Sequence, residues 1–383
     1  MADSRVFDLD QLSAAMEAPP PDQPGGVENT APTVLPESNG QAHNTLVPQS
    51  DGEPVRVSLD SGYDDNDGDS TLSTTPIHDH AKEFREENGR TYHGYKSEKR
   101  YLLPNDVREE ERLNIQHHSL RLAIGDKLFL APIEQLTEVF DVGAGTGIWA
   151  VSMGDAYPAA RIEGIDLSPI QPQWVPPNVT FLREDLDDDW HSPGRFDLIH
   201  TREMNGIAIK DWTIFFERAY ASMKPGGWVE CQECDKDIRS DDNTIPKDSV
   251  VLQWLRLREQ GFEKAGMTGR CYPENMAHSM RKAGFINVNV LSFKMPIGPW
   301  AKDPMLHECG SYTLGGLLDH VQGLSLRVFT EHLGWTQEEL EVLLMDVRKE
   351  WKRGDIHSYY PIYVVYGQKP PRANEDMDFP MSP

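Results

Sequence analysis

The stretch VFDVGAGTGIWA, residues 139–150, sets Gly143, Gly145 and Gly147 behind a run of strand formers, with Asp141 two places ahead of the first. Alternate glycines let the main chain approach a ligand closely and take left-handed conformations. Where a strand opens into a helix, the freed N–H groups and the helix N-terminus make a site for a nucleotide or nucleoside. Two more carboxylates follow at comparable places, Asp166 closing IEGID and Asp185 closing NVTFLRED. After the next apolar run, FDLIHTREMNGI supplies His200, Arg202 and Glu203. Those three are the catalytic candidates, since their types suit proton transfer; they equally suit a strand-end histidine, a grip on a ligand's carboxylate, or an ion pair.

The spacing separates three ligand classes. A P-loop requires Lys and Ser/Thr after its last glycine, whereas Gly147 is followed by Ile148 and Trp149. A dinucleotide fingerprint, G-x-G-x-x-G, fails from either Gly143 or Gly145, and Asp141 would oppose a pyrophosphate. A nucleoside with a cationic tail and no phosphate fits: S-adenosyl-L-methionine. Asp141 then serves the ammonium group, and Gly143, Gly145 and Gly147 give the ribose and amino-acid parts room. Asp166 accepts from the ribose hydroxyls, as in α/β nucleotide folds generally. Asp185 and the Leu186 N–H meet the adenine.

Other tempting pairs carry less. Cys231-x-x-Cys234 lacks further ligands at zinc-finger spacing, and it runs along a strand end rather than at the helix N-terminus a redox motif needs. His117 and His118 are adjacent on a helix and diverge by roughly 100°. No metal is expected.

These groups must be held by an alternation of strands and helices. Strands are expected at Glu138–Val142, Arg161–Ile165, Val179–Leu182, Phe196–His200 and Gly227–Gln232. Helices are expected at Ile148–Ala156, in a short stretch after Ser168, and at Trp212–Met223, which together give a mostly parallel sheet. A helix precedes the first strand, capped by Asn105 or Asp106, with Leu113, Gln116, His117 and Leu120 on one face. Two helices and a strand follow the fifth strand, then a helical insertion at 304–353 capped in part by Thr336, then a final alternating strand within 357–369.

The net charge of −25 argues against nucleic-acid or anionic-membrane partners. Residues 1–79 hold 15 Asp/Glu against two Arg and are rich in Pro, Ser and Gly, a composition that cannot offset its ordering entropy. They are expected to be a disordered acidic tail in which VFDLDQLSAAM could engage a protein partner. The expected globular region is 80–370, with an N-terminal helical cap at 80–135, and 371–383 forms a second tail. Four cysteines, an acidic N-terminus and the lack of a long apolar run point to a reduced compartment. The cytoplasm is expected, with the nucleus as the alternative.

The series Asp141-x-Gly143-x-Gly145-x-Gly147, Asp166, Asp185 and MKPGGWVE resembles class I S-adenosylmethionine-dependent methyltransferases. Within them GTGIWA, GIDLSPIQPQWVPPNV, PIGPWAKDP, LGWTQEELEVLL and YYPIYVVYGQKP are most similar to the fungal LaeA-like group. The resemblance covers roughly 80–370. It implies an α/β, Rossmann-like seven-stranded sheet whose last strand is antiparallel and lies between the fifth and sixth. It also implies a helical lid from the insertion, with the His117–His118 helix and the Tyr92–Tyr95 segment over the cofactor cleft. The family holds biosynthetic enzymes and regulators. A small-molecule methyl acceptor in fungal secondary metabolism is therefore expected, the alternative being a regulator acting within a protein complex. The lack of Asn-Pro-Pro-Tyr after the fourth strand speaks against adenine or glutamine N-methylation.

Overall fold

The computed structural model describes residues 84–94, 101–188, 190 and 192–372. The acidic segment 1–79, its VFDLDQLSAAM patch and all but the start of the 371–383 tail lie outside them. The described chain opens with a two-stranded antiparallel ribbon, β1 (Phe84–Glu87) and β2 (Arg90–His93), so the region expected as a helical cap is only partly helical. Asn88 and Gly89 turn the ribbon with φ of 51° and 74°, the left-handed pair that an Asn-Gly hairpin turn requires. Helix α1 (Val107–Ala123) follows, its N-terminus capped by the Asp106 side chain, which accepts from Glu109 N at 3.1 Å.

The main sheet contains β3 (Glu138–Val142), β4 (Arg161–Asp166), β5 (Val179–Arg183), β6 (Phe196–Arg202), β7 (Met223–Cys234), β8 (Ile286–Pro296) and β9 (Tyr359–Gln368). Its order is β5-β4-β3-β6-β7-β9-β8. Strands β3 to β7 pair in parallel, and β9 runs antiparallel to both β7 and β8. This is the seven-stranded sheet that the resemblance implies, with its last strand inserted antiparallel between the fifth and sixth. The chain leaves β3 toward β4 and β5, then returns to the other side of β3 as β6. The carboxyl ends of β3 and β6 therefore border the crevice where open α/β sheets bind ligands.

Helices α2 (Ile148–Ala156), α3 (Trp212–Ser222), α4 (Val250–Lys264), α5 (Pro273–Lys282), α6 (Pro304–His320) and α7 (Gln337–Trp351) cover the sheet, with a π-helical turn at Val328–Leu333. Thr336 caps α7 in a reciprocal capping box with Glu339. No helix forms after Ser168. Pro169, Pro172, Pro176 and Pro177 leave too few N–H donors there. Gln171 instead pins this loop, donating to Gly145 O at 2.6 Å and Ser168 O at 3.0 Å.

Side chains alternate between the two sheet faces, as the pleat requires. Phe140, Ile199, Val229 and Cys231 join the core under α3 and α5. Val139, Ile162 and Leu198 pack with Trp149 and Met153 of α2. Cys234, Ile362 and Val364 join a third core with α1, α4, α6 and α7. Cys231 and Cys234 thus stand on opposite faces of β7 and share no site.

Candidate functional site

A cavity of about 210 Å³ runs from the carboxyl ends of β3, β4 and β5 inward between α1, β7 and α6. At its outer end lie Gly143, Gly145, Asp166, Glu184 and Leu186. The three loop glycines all adopt left-handed φ, at 77°, 57° and 76°. Gly145 N donates to Asp166 Oδ2 and Ser168 N to Oδ1, both at 2.8 Å, so Asp166 ties the first loop to the second. Burial nonetheless raises the Asp166 pKa from 3.8 to about 6. Gly147 plays a different part. It caps α2, and a Cβ there would run into the Phe181 ring. It does not line the cavity.

Asp141 and His200 form a buried pair behind the loop. Asp141 Oδ1 accepts from His200 Nδ1 at 2.8 Å, and the imidazole stacks on the Trp149 ring at 3.7 Å. Burial lowers the His200 pKa, so the ring is neutral with its proton on Nδ1. His200 shares the strand parity of Leu198 and faces α2. It is 1% exposed and lies outside the cavity lining, where a base for an acceptor would need to be. Asp185 likewise turns away. Its Oδ1 accepts from Asp187 N at 2.9 Å in a tight turn, and the cavity instead meets its neighbours Glu184 and Leu186.

Arg202 and Glu203, at the end of β6, do reach the cavity. Arg202 donates through Nε to Gln232 Oε1 and through Nη1 to His117 Nδ1, both at 2.9 Å. Burial and the nearby guanidinium drive the His117 pKa down to about 2, which keeps Nδ1 an acceptor. Burial lowers Arg202 only to about 10, so it stays charged. Glu203 holds a left-handed φ of 58°, rare for a residue with a side chain. Its Oε2 accepts from Lys236 Nζ and from Gln116 Nε2, the latter at 2.9 Å.

The inner end is built from distant elements. Arg112 donates to Glu109 Oε1 through Nε at 2.9 Å and Nη2 at 2.7 Å. Glu233 accepts from Met204 N and Asn205 N at 3.1 Å, and burial beside Glu203 holds its pKa well above the usual carboxylate range. Of the expected lid, α6 contributes Tyr312, Thr313 and Leu317, while α7 packs through Trp351 on Trp254 of α4 and stays outside the lining. Helix α6 lies against α1: Cys309 Sγ donates to Ser119 O at 3.2 Å, and a Cβ on Gly316 would press on Ile115. His117 sits behind Arg202 rather than in the cavity. Tyr92 is buried against Arg327, and from its neighbourhood His93 and Tyr101 line the cavity instead.

Sequence reasoning missed Glu109, Arg112, Glu184, Glu233, Lys236 and Arg258, and found Gln116 only as a helix-face residue. The 109–112–116 spacing along α1 was a usable signal, because it sets three polar side chains on the stripe that also carries Leu113 and Leu120. The residues present fit a zwitterionic nucleoside. Arg202 Nη2, Glu203 Oε1 and Asp141 Oδ2 are buried and lack hydrogen-bond partners among the described residues. Arg202 and Glu203 line the cavity, whereas Asp141, like His200, lies outside its lining, behind the loop. A cationic donor and a carboxylate oxygen beside a glycine loop complement a ligand that bears a carboxylate and cationic groups.

Residues 115–290 match a family described as a methyltransferase domain. The chain is 42% identical over 319 residues to the methyltransferase pytC of Aspergillus terreus, covering 83% of this chain and 97% of that protein. It is 31% identical over 288 residues to the secondary metabolism regulator laeA of Aspergillus fumigatus, covering 74% of this chain and 76% of the regulator. It is 30% identical over 272 residues to the probable methyltransferase tdiE of Emericella nidulans, covering 70% and 84% respectively.

Proposed function

The chain belongs to the class I S-adenosylmethionine-dependent methyltransferases related to LaeA, and from that premise we propose that it methylates a small molecule of fungal secondary metabolism. When bound, the cofactor supplies a methyl group on sulfur that is already activated for transfer. The chain's own work is then to bind, orient and exclude water. In this reading Gly143 and Gly145 admit the ligand's backbone-facing parts, Asp166 accepts from the ribose hydroxyls, and Leu186 meets the adenine. The free Nη2 of Arg202 takes the carboxylate, while Asp141, outside the cavity lining, serves the ammonium through water. Glu203, held by Lys236 and Gln116, positions the acceptor through Oε1. An ion-paired carboxylate is a poor base, so Glu203 orients the acceptor rather than abstracting its proton.

The observation that carries the proposal is the depth of the cavity. It continues past Arg202 and Glu203 to Met295, Leu317 and Leu324, an interior chamber suited to a small, largely apolar acceptor. Comparing metabolites from cells with and without the gene tests it. One intermediate accumulating a methylene lighter than its product supports the enzyme. Collapse of many unrelated pathways together supports the second reading, a regulator acting in a complex. That reading draws on the likeness to laeA and on the acidic N-terminal segment.

A further inference from the structure

Helix α4 carries Trp254, Arg258 and Phe262 at successive intervals of four, one stripe of the helix turned into the core. Trp254 and Phe262 are apolar occupants of that stripe, 0% and 3% exposed. Arg258 is not. Its guanidinium carbon lies 4.8 Å from the Trp254 ring centroid and 5.6 Å from that of Phe262, and the residue is only 5% exposed. It lines the inner end of the cavity. Trp254 is itself fixed, donating through Nε1 to Ser325 Oγ at 2.9 Å.

The charges around the inner chamber pair off, except this one. Arg112 is matched by Glu109, and Lys236 by Glu203. Glu233 is held toward its neutral form by burial beside Glu203. Among the described residues, no hydrogen bond or ion pair engages the Arg258 guanidinium. Arg202, the other cation without an acidic partner, sits at the outer boundary beside the glycine loop. A guanidinium largely withdrawn from bulk water, turned to the cavity and left without a paired anion is costly to keep. A hydroxyl donor stands near it. Tyr360 also lines the chamber, 5% exposed, and burial raises its pKa to about 12, so it is a neutral O–H donor.

Resting on the small-molecule reading above, we propose that the methyl acceptor is an anion whose carboxylate, or equivalent planar acidic group, docks on Arg258 with help from the Tyr360 hydroxyl. The guanidinium fork suits two parallel hydrogen bonds to such a group, and Trp254 and Phe262 hold its plane. The remainder of the acceptor extends past Met295 and Leu317 toward Glu203.

Octanoate and its neutral isostere octanamide are suitable probes, titrated calorimetrically into the full chain saturated with S-adenosylhomocysteine. Octanoate is expected to bind at least tenfold tighter than octanamide. Arg258→Met removes that preference, leaves S-adenosylhomocysteine affinity within twofold, and raises the thermal midpoint by relieving an unpaired buried charge. Arg258→Lys keeps part of the preference. If the Met variant does not fold, Arg258→Gln decides the same comparison. Octanamide matching octanoate, neither probe binding, or a preference that survives loss of the guanidinium overturns the proposal. Failure to bind S-adenosylhomocysteine, or methyl transfer to proteins alone, instead tells against the small-molecule reading.

Discussion

The two ends of the cavity are made in different ways. The outer end is mostly main chain: left-handed glycines, N–H groups and a carboxylate, Asp166, whose two oxygens already accept from Gly145 N and Ser168 N. Its main-chain groups and Asp166 come from residues 139–186, read in order along three neighbouring strands. The inner end is mostly side chain, and its members come from α1, β7, α4, α6 and β9, separated by as much as the distance from Glu109 to Tyr360 in the sequence. A site of main-chain groups is specified by where glycine must stand. A site of side chains is specified by which charges find partners after folding. The first resists change of ligand, and the second can be rewritten by single substitutions.

Removing Arg112 tests the dependence of the inner end on charge pairing and has the largest expected effect. Arg112→Met leaves Glu109, 2% exposed, without its cation, and costs about 3–5 kcal/mol of stability in a denaturant titration. A companion Glu109→Gln restores most of the loss. The same change at Arg258 is expected to stabilise. Two arginines in one chamber with equal shifts would mean that pairing does not govern it.

At the outer end, Asp166→Ala should weaken S-adenosylhomocysteine binding about a hundredfold, the worth of two charge-assisted hydrogen bonds of roughly 1.5 kcal/mol each. Octanoate affinity should stay within twofold. A comparable loss at both ends would show that the chamber is one site and not two. The next effect is smaller. Because the Asp166 pKa is raised to about 6, cofactor affinity should fall as pH drops through that value, by at most about tenfold per pH unit, and Asp166→Asn should flatten the profile. The stability of the ligand-free protein moves the other way. A carboxyl whose folded pKa lies above its unfolded value destabilises the fold above about pH 6, and that penalty fades as pH falls toward 3.8. The smallest effect is Thr336→Ala, which breaks the α7 capping box at a cost of about 1 kcal/mol and should leave both affinities unchanged.

The same contrast explains what could be read in advance. The βαβ alternation and the antiparallel last strand were legible because pattern and turn chemistry are local, and Asp166, Gly143 and Gly145 stand on the cavity at the strand ends where they were expected. The ribbon at Phe84–His93 is legible too, in Asn88-Gly89, although the charge around that pair masks it. Asp185 and His200 stand at the expected strand ends, yet their side chains face a turn and α2. Strand parity could have removed His200, since it shares the side of Leu198. The inner chamber was largely illegible: nothing near Lys236 in sequence announces Glu203, and the pairing exists only after β6 and β7 align. Arg258 left one trace, a charge on the apolar stripe of α4 where a solvated arginine has no place.

One strand carries a consequence for how such proteins diversify. Along β7, Glu230 accepts from Leu130 N and Ala131 N at 2.7 Å, Gln232 steadies Arg202, and Glu233 fastens the turn after β6. Each of these side chains is committed to holding another part of the protein. β7 works as a jig: it fixes the mounting points, while α4 and α6 supply the replaceable tooling. On the proposed small-molecule reading, exchanging those two helices while β7 is kept is expected to change acceptor preference and leave cofactor affinity unchanged.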